Sequence, residues 1–466
     1  MIFERFKKIF FIGIGGIGMS GIAEIMHNLN FTISGSDQTE NSNTIRLKKM
    51  GVKINIGHEK KGIKGSDLVV YSSAIKKNNK EIIEARKNNI PAISRAKMLA
   101  EILRLKYSVT ISGSHGKTTT TSIISSIFEY ANLDPTIING GIINKYNTNA
   151  KLGRGKWMIA EADESDGSFT HLPSTIGVIN NIDPEHLDFY KTLDNLKNAF
   201  LTYGQNIPFF GFLCICKDDK NLQCVSKNLK NIRIISFGVS KLSNISCSNI
   251  KIIFRKKTYY SCFDVRINWI RKYTIKKVFF PMIGLHNIRN ALAAISVAVG
   301  VGLNTKVIKE GVQKFSGVKR RFNLIYRNKI KIFDDYAHHP VEITNVINSL
   351  KLISKERIIA VHEPHRYSRV HFLFEDFIKS LGIADHIILL PIFSAGEKKI
   401  KGIDSQKLVS LIGTKKSDYV PNKFKLFEKL KDIIKVGDNI VFLGAGPITK
   451  LAYEFAKKIK NNDSNK

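Results

Sequence analysis

Residues 113–120, G-S-H-G-K-T-T-T, restrict the folds open to this chain more than any other stretch. Val109, Thr110 and Ile111 precede them, a β-branched run suited to a buried strand. Ser122, Ile123, Ile124, Ile127 and Phe128 follow with apolar residues at helical spacing. A strand, a glycine-bearing turn and a helix N-terminus together point backbone N–H groups, and the positive end of the helix dipole, at one spot. Lys117 adds an ammonium suited to β- and γ-phosphates, and Thr118 a hydroxyl suited to Mg²⁺. The usual pattern has its first glycine five residues before the Gly-Lys pair, where this chain has Ile111, so Gly113 takes the turning role in a shortened loop. These residues alone fit either a nucleotide phosphate site or a plain strand-to-helix turn.

With 466 residues the chain is too long for one ordinary core, and about three domains are expected. A hydrophobic share of 43% and a charged share of 24% are those of a soluble globular protein. No uninterrupted apolar run reaches the length of a membrane span, and the first residues enter a strand at once, so neither membrane insertion nor a removable leader is expected. Cys214, Cys216, Cys224, Cys247 and Cys262 fall in one region without C-x₂-C spacing, which favours reduced thiols and a cytoplasmic setting. The net charge of +34 raises the question of nucleic acid. The lysines, however, are spread along the whole chain beside abundant Ile and Asn, with no basic stripe interleaved with aromatics, so no specific nucleic acid is expected.

Apolar runs alternate with helical patterns almost throughout, the signature of parallel sheets built from βαβ units. Residues 8–14, 31–34, 67–71, 107–111, 157–160, 176–182, 212–216, 357–362, 386–391 and 439–443 read as strands; 16–29, 94–104, 287–299 and 305–314 read as helices. A helix hands over to the phosphate-loop strand near 105–106, and a basic turn with a glycine spans 316–321. The expected domains are therefore 1–105, 106–317 and 318–466. Residues 241–280 carry shorter alternations, read as an antiparallel excursion, and the polar tail 457–466 reads as frayed.

Several further motifs carry chemistry. Gly13, Gly15, Gly16 and Gly18 lie between a strand and a helix, with Ser36 and Asp37 ending the next strand, the fingerprint of a fold that binds a diphosphate. Glu161, Asp163, Glu164 and Asp166 follow the 157–160 strand and suit a Mg²⁺ site; for Asp163 and Glu164 a solvated acidic turn is an equal reading. His186, after another apolar strand, fits a metal ligand, a phosphate contact or a capping residue. Asn287 and Asn290 share one helix face, where amides can read an adenine or ribose edge or simply cap. Lys319, Arg320 and Arg321 offer a guanidinium for a triphosphate. Tyr336, His338 and His339 after one strand, and His365, Arg366 and Arg369 after another, mark a polar cleft for a small zwitterion, with Arg366 and Arg369 pairing its carboxylate. Gly444 and Gly446 form one more glycine turn.

Taken in order, these motifs resemble the Mur ligase family. The stretches that carry the likeness are F-I-G-I-G-G-I-G-M-S-G (11–21), the phosphate loop, E-A-D-E-S-D-G-S (161–168), 181–188, 284–294, D-D-Y-A-H-H-P (334–340) and 364–369, with a weaker match at 394–397. The resemblance implies an α/β protein of three domains: N-terminal Rossmann-like, central P-loop ATPase-like with a parallel sheet, and C-terminal Rossmann-like. It implies ATP-driven amide formation, in which the lactyl carboxylate of UDP-N-acetylmuramate is phosphorylated and then attacked by the amine of L-alanine, in peptidoglycan precursor synthesis.

Carried over by position, the resemblance makes Gly113, Ser114, His115, Gly116, Lys117, Thr118, Thr119, Asn287, Asn290, Arg321 and Asp335 the ATP contacts. Gly15, Gly16, Gly18, Asp37, His58, Ser72 and Ser73 become the UDP-sugar contacts, and Tyr336, His338, His365, Arg366 and Arg369 the amino-acid contacts. Thr118, Glu161 and His186 are implied as ligands of Mg²⁺, or of Mn²⁺ in its place, with Lys117, His186, Arg321 and His338 at the reacting groups and a monomer or homodimer as the assembly. Two departures stand out: Ser114 where the family commonly has Thr, and Glu363 where Gln is common. The competing readings are a relative that attaches a whole peptide to the same sugar, an NAD(P)-dependent oxidoreductase resting on Gly13–Gly18, and a nucleic-acid binder resting on charge.

Overall fold

The computed structural model describes residues 6–76, 78–255 and 258–464. Three sheets carry the chain, and all three are wholly or mainly parallel. The chain gathers into two compact units: residues 1–251, 261–281 and 287–318 form one, and 252–260, 282–286 and 319–466 the other.

In the first unit a five-stranded parallel sheet runs in the order Lys53–Ile56, Thr32–Asp37, Lys8–Ile12, Leu68–Tyr71, Ala92–Ser94. Its central strand, KIFFI, is buried from Ile9 onward because helices cover both faces. The order reverses between Lys8–Ile12 and Leu68–Tyr71, so the glycine turn after the first and Ser72 after the second open on one crevice.

The ten-stranded sheet has a parallel centre: Phe212–Cys216, Ile176–Ile179, Tyr107–Ser112, Trp157–Glu161 and Thr136–Ile143 lie side by side. Ile111 pairs with Glu161 and Ser112 with Ile179, which brings the ends of three strands level beside the phosphate loop. Thr148–Lys151 returns antiparallel on one edge, and Thr258–Asn268 pairs antiparallel with Lys272–Phe280 near the other, as the alternations in 241–280 lead one to expect. Strand Ile234–Gly238 and the Thr136–Lys151 hairpin have no clear signal in the sequence. Asn and Gly within the hairpin, and the shortness of the strand, mask the alternation, and pairing with neighbouring strands decides them.

Polar contacts fasten the helix behind the first glycine turn, Ile17–Asn28, to that hairpin. Asn149 Nδ2 donates to the Ile17 carbonyl at 2.6 Å, and Thr148 Oγ1 donates to Glu24 at 2.8 Å. Arg46 pairs with Glu24 and also donates to Asn149 Oδ1 at 3.1 Å. A Cβ on Gly21 would stand 2.7 Å from Asn149 Nδ2, so the helix can approach this closely only with glycine there.

The second unit holds a six-stranded sheet: Asn323–Arg327, Lys331–Asp335, Asn439–Leu443, Ile358–His362, His386–Leu389, Ser417–Tyr419. Only its first strand is antiparallel. One apolar layer, including Phe333, Ile347, Phe377 and Leu443, lies on one face, and another, including Ile332, Leu426, Phe442 and Phe455, on the other. The tail expected to fray is helical instead, continuing Ile448–Ser464. Phe455 and Ala456 bury its first half, and an apolar face in contact with a sheet outweighs the polar composition of the end. Residues 465 and 466 lie outside the described part.

Close helix packing in the first unit can be tested at Gly311. A Cβ there would lie 2.6 Å from the Ile127 Cα of the phosphate-loop helix, and Ser126 Oγ donates to the Gly311 carbonyl at 2.7 Å. Gly311→Val forces the two helices apart and is expected to cost about 1–3 kcal/mol. The apparent melting temperature followed by circular dichroism should fall by several degrees; an unchanged value would contradict the contact.

Candidate active site

The phosphate loop owes its shape to two glycines and one neighbouring segment. Gly113 has φ +127° and Gly116 φ +81°, and Gly116 is the N-cap of the helix Lys117–Tyr130. A Cβ at Gly116 would meet Asn290 Oδ1 at 2.4 Å, so both the backbone sign and the available space call for glycine. The segment after Ile176–Ile179 laces the loop down. The Ser114 amide donates to the Asn181 carbonyl at 3.2 Å, the His115 amide to Asn181 Oδ1 at 2.8 Å, and the Asp183 amide to Ser114 Oγ at 2.9 Å. Asn180 Nδ2 donates to the His115 carbonyl at 3.2 Å and to Thr120 Oγ1 at 3.1 Å, and His115 Nε2 lies 3.2 Å from Asp183. Sequence alone shows Asn180, Asn181 and Asp183 only as members of a motif, because what they hold depends on the register between two strands.

Lys117 is held inside the loop. Its Nζ donates to the Gly113 carbonyl at 2.6 Å and to Glu164 Oε1 at 2.8 Å. Burial opposes its charge, but Glu164, Asp163 and Glu185 together outweigh that effect and hold its pKa above the ordinary lysine value. Burial lifts the Glu164 carboxyl to about 7 against the pull of Lys117, with Asp163 and Glu185 adding to the rise. Glu164 is therefore no solvated turn residue: its side chain is 1% exposed, while that of Asp163 is 42% exposed and contacts Arg95 at 3.5 Å. The acidic run divides because only Glu164 points under the phosphate loop.

Of the three metal ligands implied by resemblance, the structure places His186 in one acidic group and Thr118 and Glu161 beside another feature. Ligand atoms of Glu164, Glu185 and His186 lie within 4.8 Å of one another, and His186 Nε2 is 3.7 Å from Glu164 Oε1. Glu164 Oε2 is buried without a hydrogen-bond partner among the described residues. Carboxylate oxygens with one imidazole suit Mg²⁺ or Mn²⁺, so these residues fit a divalent cation. Glu161 accepts the Gly140 N–H at 2.6 Å, and Cβ atoms on Gly140 and Gly141 would meet Glu161 at 2.5 Å and Thr118 at 2.8 Å. Asn287 and Asn290 are both buried, with Asn290 Nδ2 3.4 Å from Asn287 Oδ1; Asn290 lies against Gly116 rather than capping a helix.

At the first sheet the glycine turn is supported from Ser36, whose carbonyl accepts the Gly13 and Ile14 amides at 2.8 and 3.0 Å. Asp37 accepts the Gly15 N–H at 2.8 Å. Ser72 lies beside Gly13, Ser73 follows it in the turn after Leu68–Tyr71, the Gly16 amide donates to the Gly13 carbonyl at 3.2 Å, and the Arg95 side chain lies beside Gly18.

The second unit gathers the remaining predicted residues. The Arg321 and Arg320 guanidinium groups lie 5.3 and 4.7 Å from the Tyr336 ring centre. The two arginines nevertheless hold different partners. Arg320 donates to the Gly444 and Gly446 carbonyls at 2.6 and 3.1 Å, whereas Arg321 faces Glu342 at 3.6 Å. Asp335 accepts the Phe322 and Ala337 amides at 2.6 and 2.7 Å, and burial raises its carboxyl to about 7 with Arg321 opposing. His338 Nδ1 is 3.0 Å from the Tyr336 carbonyl, and its ring lies 5.9 Å from that of His365. His365 stacks on Phe393, and burial together with Arg369 and Arg366 lowers it to about 4. Arg369 Nη1 is 3.3 Å from His365 Nδ1, and Arg366 is 4.0 Å from Glu397. Arg366 has φ +70°, a conformation unfavourable for a non-glycine residue and of the kind that collects at functional sites.

Residues 8–107 match the Mur ligase family catalytic domain, 111–298 the Mur ligase middle domain, and 320–446 the Mur ligase glutamate ligase domain. The chain belongs to the Mur ligase family. It is 45% identical over 460 residues to the UDP-N-acetylmuramate–L-alanine ligase of Agrobacterium fabrum, and 43% identical over 465 residues to that of Sinorhizobium medicae, covering 97% and 98% of each pair of chains. The crystal structure of UDP-N-acetylmuramate-alanine ligase from Thermotoga maritima superposes with a TM-score of 0.81 at 26% identity, covering 98% of this chain and 99% of that one. A murein peptide ligase from Psychrobacter arcticus shares the fold, with a TM-score of 0.71 at 23% identity, covering 98% of this chain and 99% of that one.

The buried Lys117–Glu164 pair makes a pH-dependent prediction. Lys117→Met leaves a buried carboxyl without its cation, which costs about 3–5 kcal/mol when the carboxyl must ionise. Without Lys117 the Glu164 pKa rises above 7; the group stays neutral in mildly acidic buffer and becomes increasingly destabilising as pH climbs towards that value. The drop in melting temperature relative to the parent should therefore be larger near pH 8.5 than near pH 6, and Glu164→Gln in the same chain should restore most of it. An equal drop at both pH values would contradict the pairing.

Proposed function

We propose that this chain joins L-alanine to the lactyl carboxylate of UDP-N-acetylmuramate at the expense of ATP, releasing ADP and phosphate, as a cytoplasmic step in peptidoglycan precursor synthesis. The observation that carries this reading is a phosphate loop whose lysine pairs with a buried carboxylate at the carboxyl edge of a parallel sheet, in a chain alike over nearly its full length to ligases of that name. None of its described helices is long and apolar enough to cross a membrane. Residues 1–105 are proposed to hold the UDP-sugar, 106–317 the ATP, and 318–466 the amino acid.

A carboxylate is a poor acylating agent at neutral pH, and phosphorylation supplies the leaving group it lacks. The loop amides and Lys117 bind the β- and γ-phosphates of ATP, and the positive charge of Lys117 counters the charge that spreads over the transferring group. Glu164, Glu185 and His186 would hold a divalent cation that further neutralises the triphosphate, and Thr118 and Glu161, beside Gly140 and Gly141, are proposed as metal ligands apart from that group. A Lys117–phosphate contact in place of the Lys117–Glu164 contact would leave Glu164 available to hold that cation. Arg321 would offer its guanidinium to the phosphates. Tyr336, His338, His365, Arg366 and Arg369 would bind L-alanine, with the guanidinium groups on its carboxylate, so that its amine attacks the acyl phosphate and phosphate departs. At a pKa of about 4 His365 is neutral at physiological pH and serves as a hydrogen-bonding surface, not a cation.

The defining experiment is phosphate release from ATP with UDP-N-acetylmuramate and, in turn, L-alanine, glycine, L-serine or a short stem peptide. Release that needs both the sugar nucleotide and L-alanine, with a new amide product, is expected; release with the peptide alone would reassign the acceptor. Arg366→Ala should raise the KM for L-alanine about 10- to 100-fold, the worth of a hydrogen bond to a charged group, and leave the KM for ATP unchanged. A parallel loss of ATP affinity would remove Arg366 from the amino-acid site.

A further inference from the structure

At the carboxyl edge of the first sheet, the side chains of Ser36 and His58 converge on one carboxylate oxygen of Glu81. Glu81 Oε2 accepts the Ser36 hydroxyl at 2.7 Å and lies 2.8 Å from His58 Nδ1, with Ser36 Oγ 3.0 Å from the same nitrogen. Ser36 belongs to the strand Thr32–Asp37, and Glu81 to the first turn of the helix Lys80–Lys87, which Asn79 caps. His58 follows Gly57, whose φ of +97° swings the chain back from the end of Lys53–Ile56. Ser36 is also the residue whose carbonyl holds the glycine turn, so one strand end fixes both the loop and this cluster.

Glu81 is fully buried. Burial raises its pKa against the Ser36 hydroxyl and His58, and a buried carboxyl is costly unless its partners compensate. Packing alone gives no reason to place an acid there. What the acid does achieve is to commit His58 Nδ1. A carboxylate on one imidazole nitrogen sets the tautomer and orientation of the ring, as in hydrolase triads. The other nitrogen, Nε2, lies on the far side of the ring, buried and without a hydrogen-bond partner among the described residues. A buried polar atom left unsatisfied in this way, on a residue held by the same Ser36 that supports the glycine turn, calls for an acceptor that the described residues do not supply.

We infer that Glu81, braced by Ser36, is a positioning residue that presents His58 Nε2–H to the diphosphate of the sugar nucleotide. The inference rests on the reading that the first sheet binds the UDP-sugar. Its test is direct calorimetric binding of UDP and of uridine, together with steady-state kinetics, for Glu81→Gln, His58→Gln and the double variant. Glu81→Gln keeps the size of the side chain and removes its charge. It should weaken UDP binding and raise the KM for UDP-N-acetylmuramate about tenfold, leave uridine binding, kcat and the KM for ATP within about twofold, and add nothing further in the double variant. Equal losses for UDP and uridine, a fall in kcat, or additive losses in the double variant would each overturn the inference. Parent protein that turns over without binding UDP here would overturn the assignment of the first sheet, and the inference with it. Should Glu81→Gln fail to fold, Ser36→Ala must weaken UDP selectively by about threefold, and unchanged binding would overturn the inference.

Discussion

A largely covered ammonium and a buried carboxylate, Lys117 and Glu164, hold the phosphate loop in the form everything around it requires. Neither tolerates burial alone, and each offsets the desolvation of the other. Through Gly113 and Glu164 the pair ties the end of the strand Tyr107–Ser112 and the start of the helix Lys117–Tyr130 to the loop after Trp157–Glu161. Glu164 thereby occupies the lysine in the way a phosphate would. Glu185 and His186 lie around the same carboxylate. The site is thus an electrostatic balance with an excess of negative charge, the condition a divalent cation meets.

Parallel strands leave their carboxyl ends level, and ligands gather where those ends meet helix N-termini. The first unit contains this arrangement twice. The glycine turn of the five-stranded sheet hangs on Ser36 and Asp37, and the loop of the larger sheet hangs on Asn180, Asn181 and Asp183. In both places a neighbouring strand end supplies the acceptors that fix the course of the turn. Asn149, Thr148, Glu24 and Arg46 join the two halves through directional polar contacts, which fix the spacing between the sites more sharply than apolar packing does.

The second unit shows how adjacent identical side chains take separate work. Arg320 spends its donors on the carbonyls of the Gly444–Gly446 turn, while Arg321 lies over Tyr336 and faces Glu342. Glu363 sits under the same turn: a Cβ on Gly446 would meet its Oε2 at 2.3 Å, and the Ile448 amide donates to that oxygen at 3.3 Å. Burial raises its carboxyl to about 7, while the Ile448 amide at the start of a long helix opposes that rise by favouring the ionised form.

The local sequence is enough for the α/β class, the strand–loop–helix units at Gly13–Gly18 and 113–130, and the antiparallel character of 241–280, because strand and helix periodicities and glycine turns are written within about a dozen residues. It also marks Lys117, His186, Arg321 and the His365–Arg369 cluster as chemistry-bearing. Three things are illegible in it: that Glu164 and not Asp163 is the buried acid, that Arg320 is structural, and that Glu81 lies against His58. Each is settled by contacts 23 to 124 residues apart in the chain, between side chains whose neighbours in sequence give no hint of them. The sequence determined which residues could bind phosphate, metal and carboxylate; only the folded chain decided which of them are desolvated together. Desolvation is what turns a charged side chain into a fixed partner with a shifted pKa, and it depends on the strand register and helix packing that bring distant residues face to face.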